Sequence, residues 1–276
     1  MQFDWHALGT SAASASFLVL GVSLGALLFL ESLLPRGTPP AERARLIHLG
    51  RNLSLWLIGI LVVRVGIDPA FLDFATTLAQ PTWGISSLGL AQWQVLLIGL
   101  ILFDLIAYWD HRISHSWKPL WVLHAVHHSD ADVDASTAIR AHPLEAVVSI
   151  FVSFGILYGL GIPVWVYFLR SALMAPLAVF HHASIEFPER IDRCMRWVFV
   201  SPRMHRIHHS DREHQTNSNY GHMFTWWDRI FGTYSDPTQT KESELRFGLS
   251  ALREARMQTL WGALKTPVFV WGRDRV

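Results

Sequence analysis

The chain has 276 residues, 51% of them hydrophobic and only 16% Asp, Glu, Lys or Arg. An ordinary soluble domain carries about 25% charged residues, so a membrane protein is the first expectation, and thirteen Trp with sixteen Phe fit long lipid–water boundaries. The net charge of +1 gives no reason to expect a nucleic acid, and a single cysteine, Cys194, leaves no internal disulfide and no thiolate cage for a metal.

Ser14 to Leu34 is an apolar run with Glu31 as its one charge, long enough for a hydrocarbon core of roughly 30 Å. No Lys or Arg precedes it, so it lacks the positive region of a cleavable signal and is expected to stay as a first helix. Leu53 to about Phe71 predicts a second span, interrupted by Arg64, and Leu90 to Trp109 a third, with Asp104 near its far end. Glu145 to His182 is too long for one span and is broken at Gly159-Leu160-Gly161-Ile162-Pro163. It reads as a hairpin of two short helices, the second bearing Arg170. Arg36, Arg43, Arg45 and Arg51 lie between the first two spans, whereas Leu72 to Gly89 has no Lys or Arg. The excess of arginine marks the cytoplasmic side, which places the N-terminus outside and every histidine cluster in the cytoplasm.

Those clusters are His111-Arg112-Ile113-Ser114-His115, His124-Ala125-Val126-His127-His128 and His205-Arg206-Ile207-His208-His209. Residues three and four apart share a helical face, so each cluster is expected to point a block of imidazoles one way. Neutral imidazole is the commonest metal ligand, and eight are too many for one ion and suited to two. The first cluster extends the third span. Lys118-Pro119 ends that helix, and a second begins near Leu120. Ser201-Pro202 has the form of a helix cap with proline in the first turn. His181-His182 closes the hairpin, with His182 the preferred ninth ligand over His181. His142 is equally a ligand, a partner of a ligand or a helix cap. His6, His48, His214 and His222 have no partner at ligand spacing. A structural zinc is four-coordinate and closed, so a dinuclear site with open positions is the better fit, and imidazole suits iron as well as zinc or copper.

The pattern His-x3-His, His-x2-His-His and a late His-x2-His-His resembles the fatty acid hydroxylase/sterol desaturase superfamily of membrane di-iron oxygenases. So do Asp104 to Arg112, Leu120-Trp121 to Ser129, Thr137 to Pro143, Phe180-His181-His182 with Pro188 beyond, Ser201-Pro202 to Ser210, Asn219-Tyr220-Gly221 and Trp227 to Thr233. The resemblance covers roughly Leu100 to Tyr234. It implies four or so membrane helices beneath a cytoplasmic helical cap, and with the spans read above the expected fold is all-α, an integral membrane helical bundle of three spans plus a helical hairpin under that cap. The layout is a single domain with spans within 14–109, a first cap segment at 110–144, the hairpin at 145–182 and a C-terminal cap segment at 183–276. Two iron ions would be held by His111, His115, His124, His127, His128, His182, His205, His208 and His209, with His181 and His142 as further candidates. Asp104 and Asn219 are the candidates for catalytic roles.

O2 would be the co-substrate and a membrane lipid the substrate, hydroxylated at an unactivated C–H bond, with desaturation the alternative outcome. No dinucleotide fingerprint or cysteine set is present, so a separate electron-donor protein is expected, a reductase with a cytochrome or ferredoxin. Arg190, Arg193, Arg196, Arg203, Arg206 and Arg212 form its candidate landing area, or contact lipid headgroups. A bis-histidine haem carrier would pair single histidines on facing spans, and a metal transporter would place ligands near mid-membrane; neither matches massed histidines outside the spans. Trp261 to Trp271 reads as a surface helix.

Overall fold

Alternation of long apolar runs with short polar breaks folds into a helical bundle in the computed structural model, which describes residues 5–37, 40–66 and 81–273. In chain order the helices are α1 (Trp5–Leu33), α2 (Glu42–Gly66), α3 (Gln92–Ser116), α4 (Lys118–His128), α5 (Pro143–Leu160) and α6 (Val164–His182). Then follow α7 (Glu189–Met195), α8 (Pro202–His208), α9 (Glu213–Thr216), α10 (Trp226–Ile230) and α11 (Leu260–Trp271), with short 3-10 turns between. The described residues contain no strand beyond isolated bridges such as Pro35 with Ile185.

Five helices, α1, α2, α3, α5 and α6, are long and apolar enough to cross a membrane. Their apolar windows are only 11–28% buried within the protein, and side chains such as Phe17, Leu18, Leu61 and Phe151 point outward. So much exposed hydrocarbon is untenable in water and suits lipid; the chain is an integral membrane protein.

The start of the second span differs from the sequence reading, and the hairpin agrees with it. The second span begins at Glu42 rather than Leu53, so Arg43, Arg45 and Arg51 ride on its first turns instead of a loop; its expected end, Ile67 to Phe71, lies outside the described residues. The hairpin forms as two helices joined at Gly161, whose φ of 58° is the left-handed conformation that glycine adopts freely. A Cβ there would lie 2.1 Å from the Trp83 carbonyl oxygen, and one on Gly84 would lie 2.2 Å from that of Leu160. Backbone therefore meets backbone at this end of the bundle, and the Trp83 indole N–H donates to the Tyr158 carbonyl at 2.7 Å.

Val95 and Phe103 of α3 pack on Leu157 of α5 and on Ile162, Trp165 and Val166 at the start of α6. Leu20, Leu24 and Leu27 of α1 run along Val179 and Ala183 at the other end of α6. The cap is joined through Val122 and Ala125 of α4 with Leu249, Leu252, Met257 and Val270. Helix α11 lies against α4 with Trp261, Val268 and Trp271 exposed on its outer face, as a surface helix should.

Candidate metal centre

The ends of four helices meet at one point. α3 continues unbroken past Trp109, carrying His111 and His115 until the chain turns at Trp117. Pro119 opens α4, which carries His124, His127 and His128. The Ser201 hydroxyl accepts the Met204 N–H at 3.3 Å and starts α8, with His205, His208 and His209. α6 ends at His181-His182.

The clusters do not act as blocks. One nitrogen from each of His111, His115, His124, His128 and His208 lies within 4.8 Å of the others, and a second group gathers His127, His182, His205 and His209 in the same way. Consecutive helical residues differ by about 100° around the axis, whereas positions i and i+4 nearly eclipse. Each His-x2-His-His box therefore splits. The i, i+4 pair, His124 and His128 or His205 and His209, serves one group, and the histidine between serves the other. The groups adjoin, with the ring centroids of His128 in one and His209 in the other 4.7 Å apart.

The outer nitrogens are tied down. His111 Nδ1 donates to the Tyr220 carbonyl at 2.9 Å and His208 Nδ1 to the Ser218 carbonyl at 2.7 Å. His124 Nδ1 donates to Glu145 at 2.8 Å, His127 Nδ1 to the Arg140 carbonyl at 3.1 Å and His182 Nδ1 to the Ala178 carbonyl at 2.7 Å. Each such bond fixes a tautomer and turns a bare Nε2 inward, as outer partners of metal ligands do. The inward Nε2 atoms of His111, His124 and His208, and both nitrogens of His115 and His128, are buried without a hydrogen-bond partner. The Nε2 atoms of His127 and His182, both lone pairs by this reasoning, face each other at 3.1 Å. Unpaired buried nitrogens cost about 1–3 kcal/mol each, and facing lone pairs repel. A cation in each group removes both penalties, so the residues fit a two-metal site. Burial and then the neighbouring imidazoles hold His127, His128, His205 and His209 well below the usual histidine range, and burial takes His208 down to about 3. These five imidazoles are neutral at pH 7, the form that binds metal.

Other candidates take different places. His142 caps α5, accepting the Leu144 N–H at 3.2 Å, and joins neither group. His181 also stands outside both, its ring 5.9 Å from that of His205 and its Nε2 buried without a partner. Asp104 accepts the N–H groups of Met223 and Phe224 and the Trp227 indole at 2.8, 3.1 and 2.8 Å. Asn219, at φ 55°, bonds the Met204 and Ser235 backbones. Asp104 and Asn219 brace the segment whose Ser218 and Tyr220 carbonyls aim two ligands, and among the described residues neither side chain hydrogen-bonds an imidazole.

Sequence reasoning missed several members of the site. Glu145 was detectable as a carboxylate in the first turn of an apolar helix. His222, 5.3 Å from the His111 ring, and His48 have no local signal. His48 meets Asp130 at 2.8 Å and Asp134 at 3.2 Å. The buried Arg140 guanidinium spans Val126, Asn52 and Ser129. Burial raises the Asp130 carboxyl, but Arg140 and His48 hold it well below the usual carboxylate range. Of the six arginines proposed as a landing area, Arg196 and Arg206 are buried and paired with Asp192 and Glu242, which removes them from any such surface.

A cavity of about 340 Å³ abuts the imidazoles, walled by Ala146 and Val148 of α5, Met174 and Ala178 of α6, and ligands from both groups.

Comparison with known proteins agrees with this geometry. An ornithine lipid hydroxylase of Rhizobium tropici is 27% identical over 187 residues, 66% of this chain and 56% of that protein. An alkylglycerol monooxygenase of Xenopus tropicalis is 28% identical over 153 residues, 51% of this chain and 30% of that protein. A methylsterol monooxygenase 1 of Gallus gallus is 29% identical over 160 residues, 55% of this chain and 51% of that protein. The chain thus spans between about a third and just over half of these relatives. No solved structure matches. The family described as fatty acid hydroxylase matches residues 96–233, half of the chain and every residue of both imidazole groups, and the chain belongs to that family.

Proposed function

We propose that this protein is an O2-dependent lipid hydroxylase of the membrane, with two irons held by nine histidines. His111, His115, His124, His128 and His208 would hold one ion, and His127, His182, His205 and His209 the other. The observation that carries the reading is the position of five of these imidazoles, drawn from both groups, on the wall of a cavity whose opposite wall is made of membrane helices. Bound and reduced, the irons supply activation of O2 toward an unactivated C–H bond.

The chain's own residues do the rest. Met174, Val148 and the small side chains of Ala138, Ala146 and Ala178 leave room for a lipid segment and keep water from it. Such a substrate reaches the cavity from the bilayer without crossing water. Asp110 and Ser114, one turn apart on α3, line the same space and can hold its polar part. Glu145 and the Tyr220, Ser218, Arg140 and Ala178 carbonyls keep five ligands in register. Hydroxylation rather than desaturation is favoured because the matched relatives are named as a hydroxylase and monooxygenases.

The cap is assigned to the cytoplasm. Arg36 bonds the Ile185 carbonyl, Arg51 that of Gln258, and Arg45 lies by Glu31, so the arginine-rich helix ends sit beside the histidines. A separate reductant then supplies two electrons per turnover from that side. Lipid mass spectrometry of the source organism tests the reading, comparing the gene deleted, restored, or restored as His127→Ala/His128→Ala. A lipid one oxygen heavier should vanish in the deletion and stay absent in the double variant. An unchanged lipid profile in both strains would contradict it.

A further inference from the structure

The imidazole cluster has a second cavity on its other side, larger than the first at about 590 Å³. On α3 the two alternate with the helical period: Asp110, His111 and Ser114 line the first, whereas Arg112, His115 and Ser116 line the second. The first is walled by α5 and α6, which a soluble protein cannot reach. The second is walled by the cap, through residues that include Lys118, Trp121, Tyr220 and Arg273.

Two aromatic rings on the wall of this space pack against the five-histidine group. The Trp121 centroid lies 5.0 Å from that of His115 and 5.8 Å from that of His128. The Tyr220 centroid lies 5.2 Å from His115, 5.6 Å from His111 and 5.7 Å from His208. Four of the five ligands thus touch a ring on the cavity wall, and His115 is on the wall itself. Electron transfer slows exponentially with distance, so a donor must bring its cofactor near such a wall.

Charge at the cavity is also particular. Arg112 lies over Trp109 at 5.2 Å, Lys118 over Trp271 at 5.9 Å and Arg273 over Phe269 at 3.8 Å. Among the described residues none of the three has a carboxylate partner, whereas Asp211 on the same wall is paired with Arg253 at 2.6 Å. The other carboxylate of the lining is Glu213, so with Asp211 paired the wall holds three cations against one and its net charge is positive.

We propose that this second cavity is the docking site of the electron donor, an acidic one-electron carrier protein, and that Trp121 and Tyr220 bridge its cofactor to the five-histidine group. The proposal rests on the oxygenase reading. Each turnover consumes one C–H substrate, one O2, two protons and two electrons, and yields one alcohol and one water. The carrier docks twice and is oxidised by one electron each time. The rings are bridges and are not themselves oxidised or reduced overall. Transient redox contacts are small and electrostatically steered, which suits a charged rim rather than a large apolar face.

The test uses the iron-loaded protein in lipid nanodiscs, with reduced plant-type [2Fe–2S] ferredoxin as an acidic probe and anaerobic stopped-flow to follow its oxidation. Lys118→Glu/Arg273→Glu should lower the second-order rate about tenfold at low ionic strength and flatten its salt dependence. Trp121→Leu should leave that salt dependence and the iron content unchanged but lower the rate reached at saturating ferredoxin, with Trp121→Phe restoring most of it. Arg190→Glu/Arg193→Glu on α7 should change neither rate. Rates indifferent to the rim reversal, or slowed instead by the α7 reversal, overturn the proposal while leaving the oxygenase reading intact. So does a centre that dithionite reduces and ferredoxin does not. A centre that even dithionite cannot reduce overturns the oxygenase reading, and the docking proposal with it.

Discussion

The two imidazole groups are built by different means. The five-histidine group draws two i, i+4 pairs from consecutive helices, His111 with His115 and His124 with His128, and adds His208. The four-histidine group has one such pair, His205 with His209, and takes His127 and His182 singly from two other helices. The first is therefore fixed mainly by helical geometry within a short stretch of chain. The second depends on the packing that brings the end of α6 to α4 and α8. Redundancy in one and economy in the other should give them different tolerance to damage.

The largest expected effect is on metal content. His205→Ala leaves the smaller group three ligands, and about one equivalent of iron per chain should be lost on purification. His115→Ala leaves the larger group four, enough for a closed first shell, and both ions should stay. Elemental analysis of the two purified variants decides it. Equal losses would show that the groups do not differ in redundancy.

Next in size is the outer bond to His124. Glu145→Ala should weaken the five-histidine group about 10–100-fold in metal affinity, the usual cost of removing an orienting partner, and leave the other group unchanged. Competition with a chelator should release one ion early. Release of both together would mean that the groups are one cooperative site.

Acid should act on both groups through the metal-free protein. Buried histidines that stay neutral when folded but protonate when unfolded near pH 6.5 make the unfolded chain bind more protons as pH falls. Stability of the metal-free protein is thus full above that pH and is lost on acidification, for His208 down to about 3. Its melting temperature should fall steadily from pH 7 to pH 4, and the iron-loaded protein should resist until the metal leaves. A flat profile would contradict the burial of these side chains as neutral groups.

The smallest effect concerns the brace behind the five-histidine group. Asn219 sits at φ 55°, so Asn219→Ala combines a left-handed alanine with lost hydrogen bonds and should cost about 1–3 kcal/mol. Asn219→Gly keeps the conformation and should cost less. Reversible unfolding in detergent would show the order, and an alanine variant more stable than glycine would refute the conformational argument.

Much of this was legible in the sequence because it is local. Apolar runs and a Gly-Pro break gave the spans and the hairpin, and the i, i+4 spacing gave the chelating pairs. The partition of adjacent histidines between two groups follows from the same helical geometry, yet it needs the relative placement of α4 and α8. What stayed hidden is long-range. His48 meets Asp130 across 82 positions, and nothing near His48 announces it. Arg43, Arg45 and Arg51 look like loop residues in the sequence because charge breaks an apolar pattern, although arginine is a good helix former. Arg196 and Arg206 look like surface residues in the sequence, whereas carboxylates from their own and other segments pair with them in buried positions.

The most direct test of the central claim is an anomalous difference map at the iron edge from crystals of the protein grown with ferrous iron. The account predicts two peaks, one among His111, His115, His124, His128 and His208 and one among His127, His182, His205 and His209. A single peak shared by both groups, or iron bound at His181 and His222 instead, would contradict it.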